Sequence, residues 1–263
     1  MPKVGLSELT LYYEEQGEGP PLVLVSGLGA SHLSWAGPVT VLQKRFRCIT
    51  PDNRGTGLSD TPPGPYTIDA MADDIAELIS HLGVAPVRVV GWSLGGSVVQ
   101  SLLIHHRELL DRAVLVAAFP SYTPLQHAWL DASLALRESG ASDDAKAVFG
   151  LPWAMTPRSL SDHQSAFEGL QLARSIPHPT SLEAFQAQAV AIRTYDSRPD
   201  LPGITTRTLI VVGAEDILTP VAQSIEMAAL IPNAGLTVLP RGGHGLPIEY
   251  MDDTLRAITP FLT

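Results

Sequence analysis

One stretch restricts the fold of this chain more than any other: residues 87–100, VRVVGWSLGGSVVQ. Val87, Val89 and Val90 form a short β-branched apolar run, the composition of a strand. Gly91-Trp92-Ser93-Leu94-Gly95-Gly96 follows, and then a segment compatible with a helix. A strand and a helix joined so abruptly need a sharp turn. The pattern G-x-S-x-G at such a junction sets its serine on a strained corner, with the hydroxyl lifted above the carboxyl edge of a sheet. Glycine at 91 and 95 removes side chains that would collide with the neighbouring strand and helix. The helix that follows aims its N-terminal amides at the serine, where negative charge is favoured. Short patterns recur by chance, so this one alone fits equally well a plain strand-turn-helix that happens to hold a serine.

The flanking sequence supplies the rest of a sheet. Leu22-Val23-Leu24-Val25 and Ala113-Val114-Leu115-Val116-Ala117 are continuous apolar runs, the mark of strands buried on both faces. Further strands are expected over 9–14, Arg47–Pro51, 208–212 and 236–239. Helices are expected over 34–46, near 221–231 and from about 248 to 261. Ile68, Met71, Ala72, Ile75, Ile79 and Leu82 fall at helical spacing, between Thr67 as N-cap and Gly83 as a stop. Strands alternating with helices give an α/β fold, a mostly parallel central sheet flanked by helices. From Ser121 to about Pro199 the strand-like runs disappear. Four helices are expected there, near 125–138, 143–150, 159–174 and 181–194. Residues 1–120 and 200–263 then form the core, and 121–199 a helical cap. Trp129, Phe149, Trp153, Met155 and Phe167 bring large apolar surface to that cap, most of it for packing between helices and a minority for a pocket.

Composition excludes several classes of function. With 45% hydrophobic and 17% charged residues in 263, the chain reads as one compact globular protein. Its net charge of −10, from 17 basic and 27 acidic side chains, repels phosphate backbones and anionic membranes. No apolar run approaches the ~18 residues of a membrane span. The start, MPKVGLSELTLYYEEQ, lacks the apolar core of a signal peptide, so a cytoplasmic location is expected. Cys48 is the single cysteine and reads as a small core residue. His105-His106 reads as a surface pair, and no metal-ligand spacing is present. Gly27-x-Gly29 after a strand lacks the third glycine of a dinucleotide fingerprint, because position 32 is His32. The loop Asp52-Asn53-Arg54-Gly55-Thr56-Gly57-Leu58-Ser59 lacks the Gly-Lys-Ser/Thr ending of a phosphate loop, and reads as a tight turn with Arg54 pairing locally. No metal or cofactor is expected.

In parallel sheets functional groups gather at the carboxyl ends of strands. Four polar features here end strands: the loop from Ser26 to Gly29, Ser93, the pair Glu215/Asp216, and His244. A serine hydroxyl is a feeble nucleophile until an imidazole accepts its proton, and the imidazole needs a carboxylate to fix its tautomer. The order nucleophile, acid, histidine is the one that goes with a serine on such an elbow.

On these motifs the chain resembles the serine hydrolases of the α/β-hydrolase fold. Gly91-Trp92-Ser93-Leu94-Gly95-Gly96 resembles the nucleophile elbow, Gly213-Ala214-Glu215-Asp216 the acid loop and Gly243-His244 the histidine loop. The loop from Asp52 to Ser59 resembles that of the esterase and enol-lactonase branches. The resemblance implies Ser93 as nucleophile, His244 as base and Asp216 as its orienting acid, with Glu215 the rival. No acid follows the preceding strand (Ala117-Ala118-Phe119), which removes the usual alternative position. It also implies an oxyanion hole made by the backbone amides of Leu28 and Leu94. Many members carry His-Gly where this chain has Ser26-Gly27; a backbone amide survives that change, while the packing of the loop can differ. Trp92, Trp129 and Trp153 are candidates for lining a substrate pocket, a structural role being equally open for Trp92. The expected activity is hydrolysis of a carboxylic ester of a small, hydrophobic substrate. Enol-lactonase, thioesterase, C–C bond hydrolase and cofactor-free haloperoxidase or perhydrolase chemistry use the same residues. A non-catalytic ligand receptor is disfavoured by the intact triad, and a dehalogenase or epoxide hydrolase would carry aspartate at position 93.

Overall fold

The computed structural model of the protein describes residues 2–162 and 177–263. Eight strands form one sheet: β1 (Lys3–Gly5), β2 (Thr10–Gln16), β3 (Pro21–Val25), β4 (Arg47–Pro51), β5 (Val87–Trp92), β6 (Leu110–Val116), β7 (Arg207–Gly213) and β8 (Ala234–Leu239). Their spatial order is β1-β2-β4-β3-β5-β6-β7-β8. β1 and β2 pair antiparallel, as do β2 and β4, and every later pairing is parallel.

The continuous apolar runs are explained by a core on each side of this sheet. Val23 and Val25 of β3, Val89 of β5 and Ala113 and Leu115 of β6 pack on one face. Leu22, Leu24, Val90, Val114 and Val116, the residues between them, pack on the other. The first face is covered by α2 (Ile68–Leu82) and α3 (Leu94–His105), the second by α1 (Ala36–Leu42) and the last helix, α10 (Met251–Leu262). The Thr67 hydroxyl caps α2 by accepting from the Ala70 amide, and Gly83 ends it in the left-handed conformation at φ 63°.

Four helices lie between β6 and β7 among the described residues: α4 (Pro124–Glu138), α5 (Asp143–Ala154), α6 (Pro157–Ser161) and α7 (Leu182–Thr194). The helix expected over 159–174 and the side chain of Phe167 fall mostly or wholly outside the described residues. After β7 come α8 (Val221–Leu230) and a single turn, α9 (Leu246–Glu249), before α10.

Three expectations need correction. The segment 34–46 is not one helix; a 3-10 turn at His32–Trp35 leads into the shorter α1. The segment 248–261 is interrupted at Tyr250, whose φ of −123° and ψ of 50° separate α9 from α10. Arg54 does not pair locally. Its guanidinium binds both carboxylate oxygens of Asp74 on α2, at 2.7 and 2.8 Å, and reaches Glu8 at 3.0 Å. Among the described residues no helix is long and apolar enough to cross a membrane, and no group of three or more His, Cys, Asp or Glu side chains is placed to hold a metal ion.

Candidate active site

The turn after β5 has the geometry its glycines require. Ser93 sits at φ 56° and ψ −120°, a conformation costly for a residue with a side chain and found where surrounding structure enforces it. A Cβ on Gly91 would lie 2.2 Å from the Gly95 carbonyl oxygen, and one on Gly95 would lie 2.2 Å from that of Val25. Strand β5, helix α3 and strand β3 therefore approach closely enough to hold the corner in shape.

His244 follows β8 in a glycine-rich loop and meets the serine from the opposite side. The Ser93 hydroxyl lies 2.8 Å from His244 Nε2. On the other side of the ring, Nδ1 lies 3.1 Å from Asp216 Oδ2. Asp216 follows β7, and its side chain is fully shielded from solvent. Its Oδ1 accepts from the amides of Leu218 and Thr219, at 2.9 and 2.8 Å. The Thr219 hydroxyl donates to Oδ2 at 2.6 Å and stands 3.0 Å from His244 Nδ1. A buried carboxylate with this many donors is rotationally fixed, and can hold the imidazole with its proton on Nδ1. Sequence reasoning missed Thr219; its position three residues after an acid at the end of a strand was the available signal.

Glu215, the rival acid, faces elsewhere. Its Oε2 accepts from the Gly242 amide at 3.1 Å, so it braces the histidine loop without touching the imidazole. Trp92 does the same from β5: its indole N–H donates to the His244 carbonyl at 2.8 Å. Its ring packs edge-on against Trp35, and it also borders an apolar cavity of about 460 Å³ with Pro38, Ile248 and Met251.

The loop after β3 backs onto the serine, because a Cβ on Gly27 would sit 3.3 Å from that of Ser93. The Ala30 amide closes a turn onto the Gly27 carbonyl at 3.2 Å, which leaves the Leu28 amide at the corner and outside the turn's own hydrogen bond. Leu94 is the first residue of α3, where helical amides lack partners within the helix. Ser26 is completely buried. Its hydroxyl donates to the Ser31 carbonyl at 3.0 Å and lies 2.9 Å from that of Ser34, which ties the loop to itself.

Thr180 and α7 reach the same loop. The Gly29 amide donates to Gln188 Oε1 of α7 at 2.9 Å, and the Gly29 carbonyl accepts from the Thr180 hydroxyl at 2.9 Å. Gln188 is completely buried, and its amide donates to the Arg54 carbonyl at 2.9 Å, so one side chain joins two loops of the core. Trp129 on α4 lines a small cavity with Leu28, and Trp153 is half-buried near the end of α5. That helix ends at Ala154, whose carbonyl accepts from the Gly245 amide beside His244. Cys48 lies buried in β4, far from any role as a nucleophile, with its thiol pushed up to about 12 by burial.

The sequence pattern of the alpha/beta hydrolase fold matches residues 20–249. This chain belongs to that family. A relative from Caulobacter sp. (strain K31), provisionally named carbamate hydrolase RutD, is 32% identical over 261 residues, covering 96% of each chain. Among solved alpha/beta hydrolases, the enol-lactonase of Burkholderia xenovorans LB400 superimposes with a TM-score of 0.89 at 29% identity, over 99% of both chains. A thermophilic esterase of Thermogutta terrifontis gives a TM-score of 0.87 at 28% identity, over 100% of this chain and 98% of its own.

Proposed function

We propose that this alpha/beta hydrolase is a serine hydrolase that cleaves a carboxylic ester of a small, mainly apolar substrate through an acyl-enzyme on Ser93. The observation that carries the reading is the 2.8 Å approach of His244 Nε2 to the Ser93 hydroxyl, with buried Asp216 on the far side of the ring. In this mechanism His244 takes the hydroxyl proton as Ser93 Oγ attacks the substrate carbonyl. The amides of Leu28 and Leu94 hold the oxyanion of the tetrahedral intermediate. His244 then gives its proton to the leaving alcohol, and the ester bond breaks. Water, deprotonated by the same imidazole, releases the acid and restores the serine. Asp216 accepts from the ring and stabilises the imidazolium, with Thr219 keeping its carboxylate in place.

A carbamate is the second reading, favoured by the name of the Caulobacter relative. The same attack on a carbonyl would then either expel the alcohol and leave a carbamoyl group on Ser93, or expel the amine and leave an alkoxycarbonyl or carboxyl group, which water releases. The acidic surface and the single buried thiol suit an enzyme of small molecules working in the cytoplasm.

The test is labelling with a fluorophosphonate together with turnover of p-nitrophenyl acetate. Ser93 is expected to carry the label, and Ser93→Ala to lose on the order of 10⁶ in turnover, the loss typical of a serine hydrolase nucleophile. Near wild-type turnover by the alanine variant would overturn the reading.

A further inference from the structure

A small cavity of about 130 Å³ separates the loop after β3 from the cap. Leu28, Trp129, Ser133, Arg137, Lys146 and Phe185 are among the residues that line it. Among the described residues, three polar groups on its wall make no hydrogen bond or ion pair. Trp129 Nε1 and Ser133 Oγ are shielded from solvent and make no hydrogen bond, and Ser133 as a whole is only 5% exposed. The Arg137 guanidinium forms no ion pair or side-chain hydrogen bond among the described residues; it lies over the face of Phe185, 3.9 Å from the ring centre.

The neighbouring carboxylates do not neutralise it. Asp143 is largely exposed and already held by Lys146 at 3.0 Å, and Glu138 accepts from Gln186 at 2.8 Å. Burial accordingly pulls the Arg137 guanidinium below its ordinary pKa, with Asp143 acting weakly in the other direction. Shielded polar atoms in folded proteins are almost always hydrogen-bonded, so unsatisfied groups around one cavity mark a place that something else completes.

The chemistry of that occupant follows from the donors. An indole N–H, a hydroxyl and a guanidinium fork all present protons, and an anion with two oxygens supplies acceptors for them. The volume is close to the ~150 Å³ of a cavity that holds benzene, so it takes a few heavy atoms. Leu28 stands between the cavity and the serine: it lines the cavity, and Gly27 before it packs on Ser93. We infer that this cavity is a subsite for a carboxylate carried by the substrate, at an end remote from the carbonyl that Ser93 attacks. The inference rests on the serine hydrolase reading for the identity of the bound molecule as a substrate. It confines the charge to one end of an otherwise apolar molecule.

The experiment compares monomethyl glutarate, which carries the free carboxylate, with dimethyl glutarate, which does not. Calorimetric binding to the Ser93→Ala protein and kcat/KM of the wild type are both measured. The monoester is expected to be favoured by about 10–100-fold in each, the range of a charge-assisted hydrogen bond. Arg137→Gln should collapse the monoester-to-diester ratio, and Arg137→Lys should restore part of it. Ser133→Ala should lower the same ratio by a smaller factor, and decides the matter if Arg137→Gln does not fold. Equal binding of the two esters, or a ratio untouched by these substitutions, overturns the subsite. The binding arm needs no turnover, so a preference found there stands even if neither ester is hydrolysed and Ser93 resists the phosphonate. That outcome would sink the hydrolase reading alone.

Discussion

Trp92 and His244 are joined across the sheet: the indole N–H of the residue before the nucleophile donates to the backbone carbonyl of the histidine, at 2.8 Å. The strand that presents the serine therefore also sets the height of the loop that presents the imidazole. Trp92→Phe keeps the aromatic packing on Trp35 and deletes this one bond. We expect kcat to fall about tenfold with a smaller change in KM, and stability to drop by about 1 kcal/mol, the net worth of a typical hydrogen bond. Steady-state kinetics and thermal unfolding check both.

Gln188 is a positioning residue that acts through Gly29. Gln188→Leu removes the acceptor of the Gly29 amide and the donor to the Arg54 carbonyl together. The Leu28 amide, one residue away, should lose its fixed direction. A fall in kcat of roughly 5–30-fold is expected, since losing an oxyanion donor outright costs about 10²–10³ and this change only loosens one. Gln188→Glu restores an acceptor for Gly29 but not the donor for Arg54, and should recover part of the rate.

Arg54 and Asp74 form a shielded ion pair, with side chains 7% and 6% exposed. Arg54→Ala leaves the Asp74 carboxylate buried without its partner, and should cost about 3–5 kcal/mol. The contact to Glu8 adds little, because that side chain is 65% exposed. Urea denaturation of Arg54→Ala and Glu8→Ala should therefore differ widely. Similar losses in the two would refute this ranking.

His32 gives the fold a pH dependence. Burial lowers its pKa, but the hydrogen bond and charge of Asp52 and the charge of Glu14 outweigh that, and the net shift is upward from 6.5. Its Nδ1 lies 2.8 Å from Asp52 and its Nε2 3.5 Å from Glu14. A group whose pKa rises on folding stabilises fully below its unfolded value, and that contribution is lost as pH climbs through the folded value. The stability advantage of wild type over His32→Gln should then be larger near pH ~6 than near pH ~8.5, on either side of the range in which histidine titrates. Parallel melting curves at the two pH values check the sign.

Features set by local chemistry were readable from the sequence. β3, β5 and β6 announce themselves because both of their faces are covered, and α2 because a capping threonine and a left-handed glycine frame its periodicity. What escaped depends on partners distant along the chain. β1 has three residues and only Val4 buried, too short for any alternation to register. Arg54 gave no hint that its acid lay 20 residues away on α2. At the site, the sequence showed Ser93, Glu215, Asp216 and His244 only as polar residues at strand ends; the structure brings Ser93, His244 and Asp216 within hydrogen-bond reach. That Glu215 would brace Gly242, and that Thr219 would lie against both the acid and the imidazole, depends on how two loops meet in space.

The grip of α7 on Gly29 limits how such an enzyme could be rebuilt. Exchanging the helices between β6 and β7 for those of a relative would also change what holds the loop after β3. A chimaera lacking equivalents of Thr180 and Gln188 would release the hinge on which the Leu28 amide sits. A graft into this segment therefore has to carry both anchors of Gly29 with it.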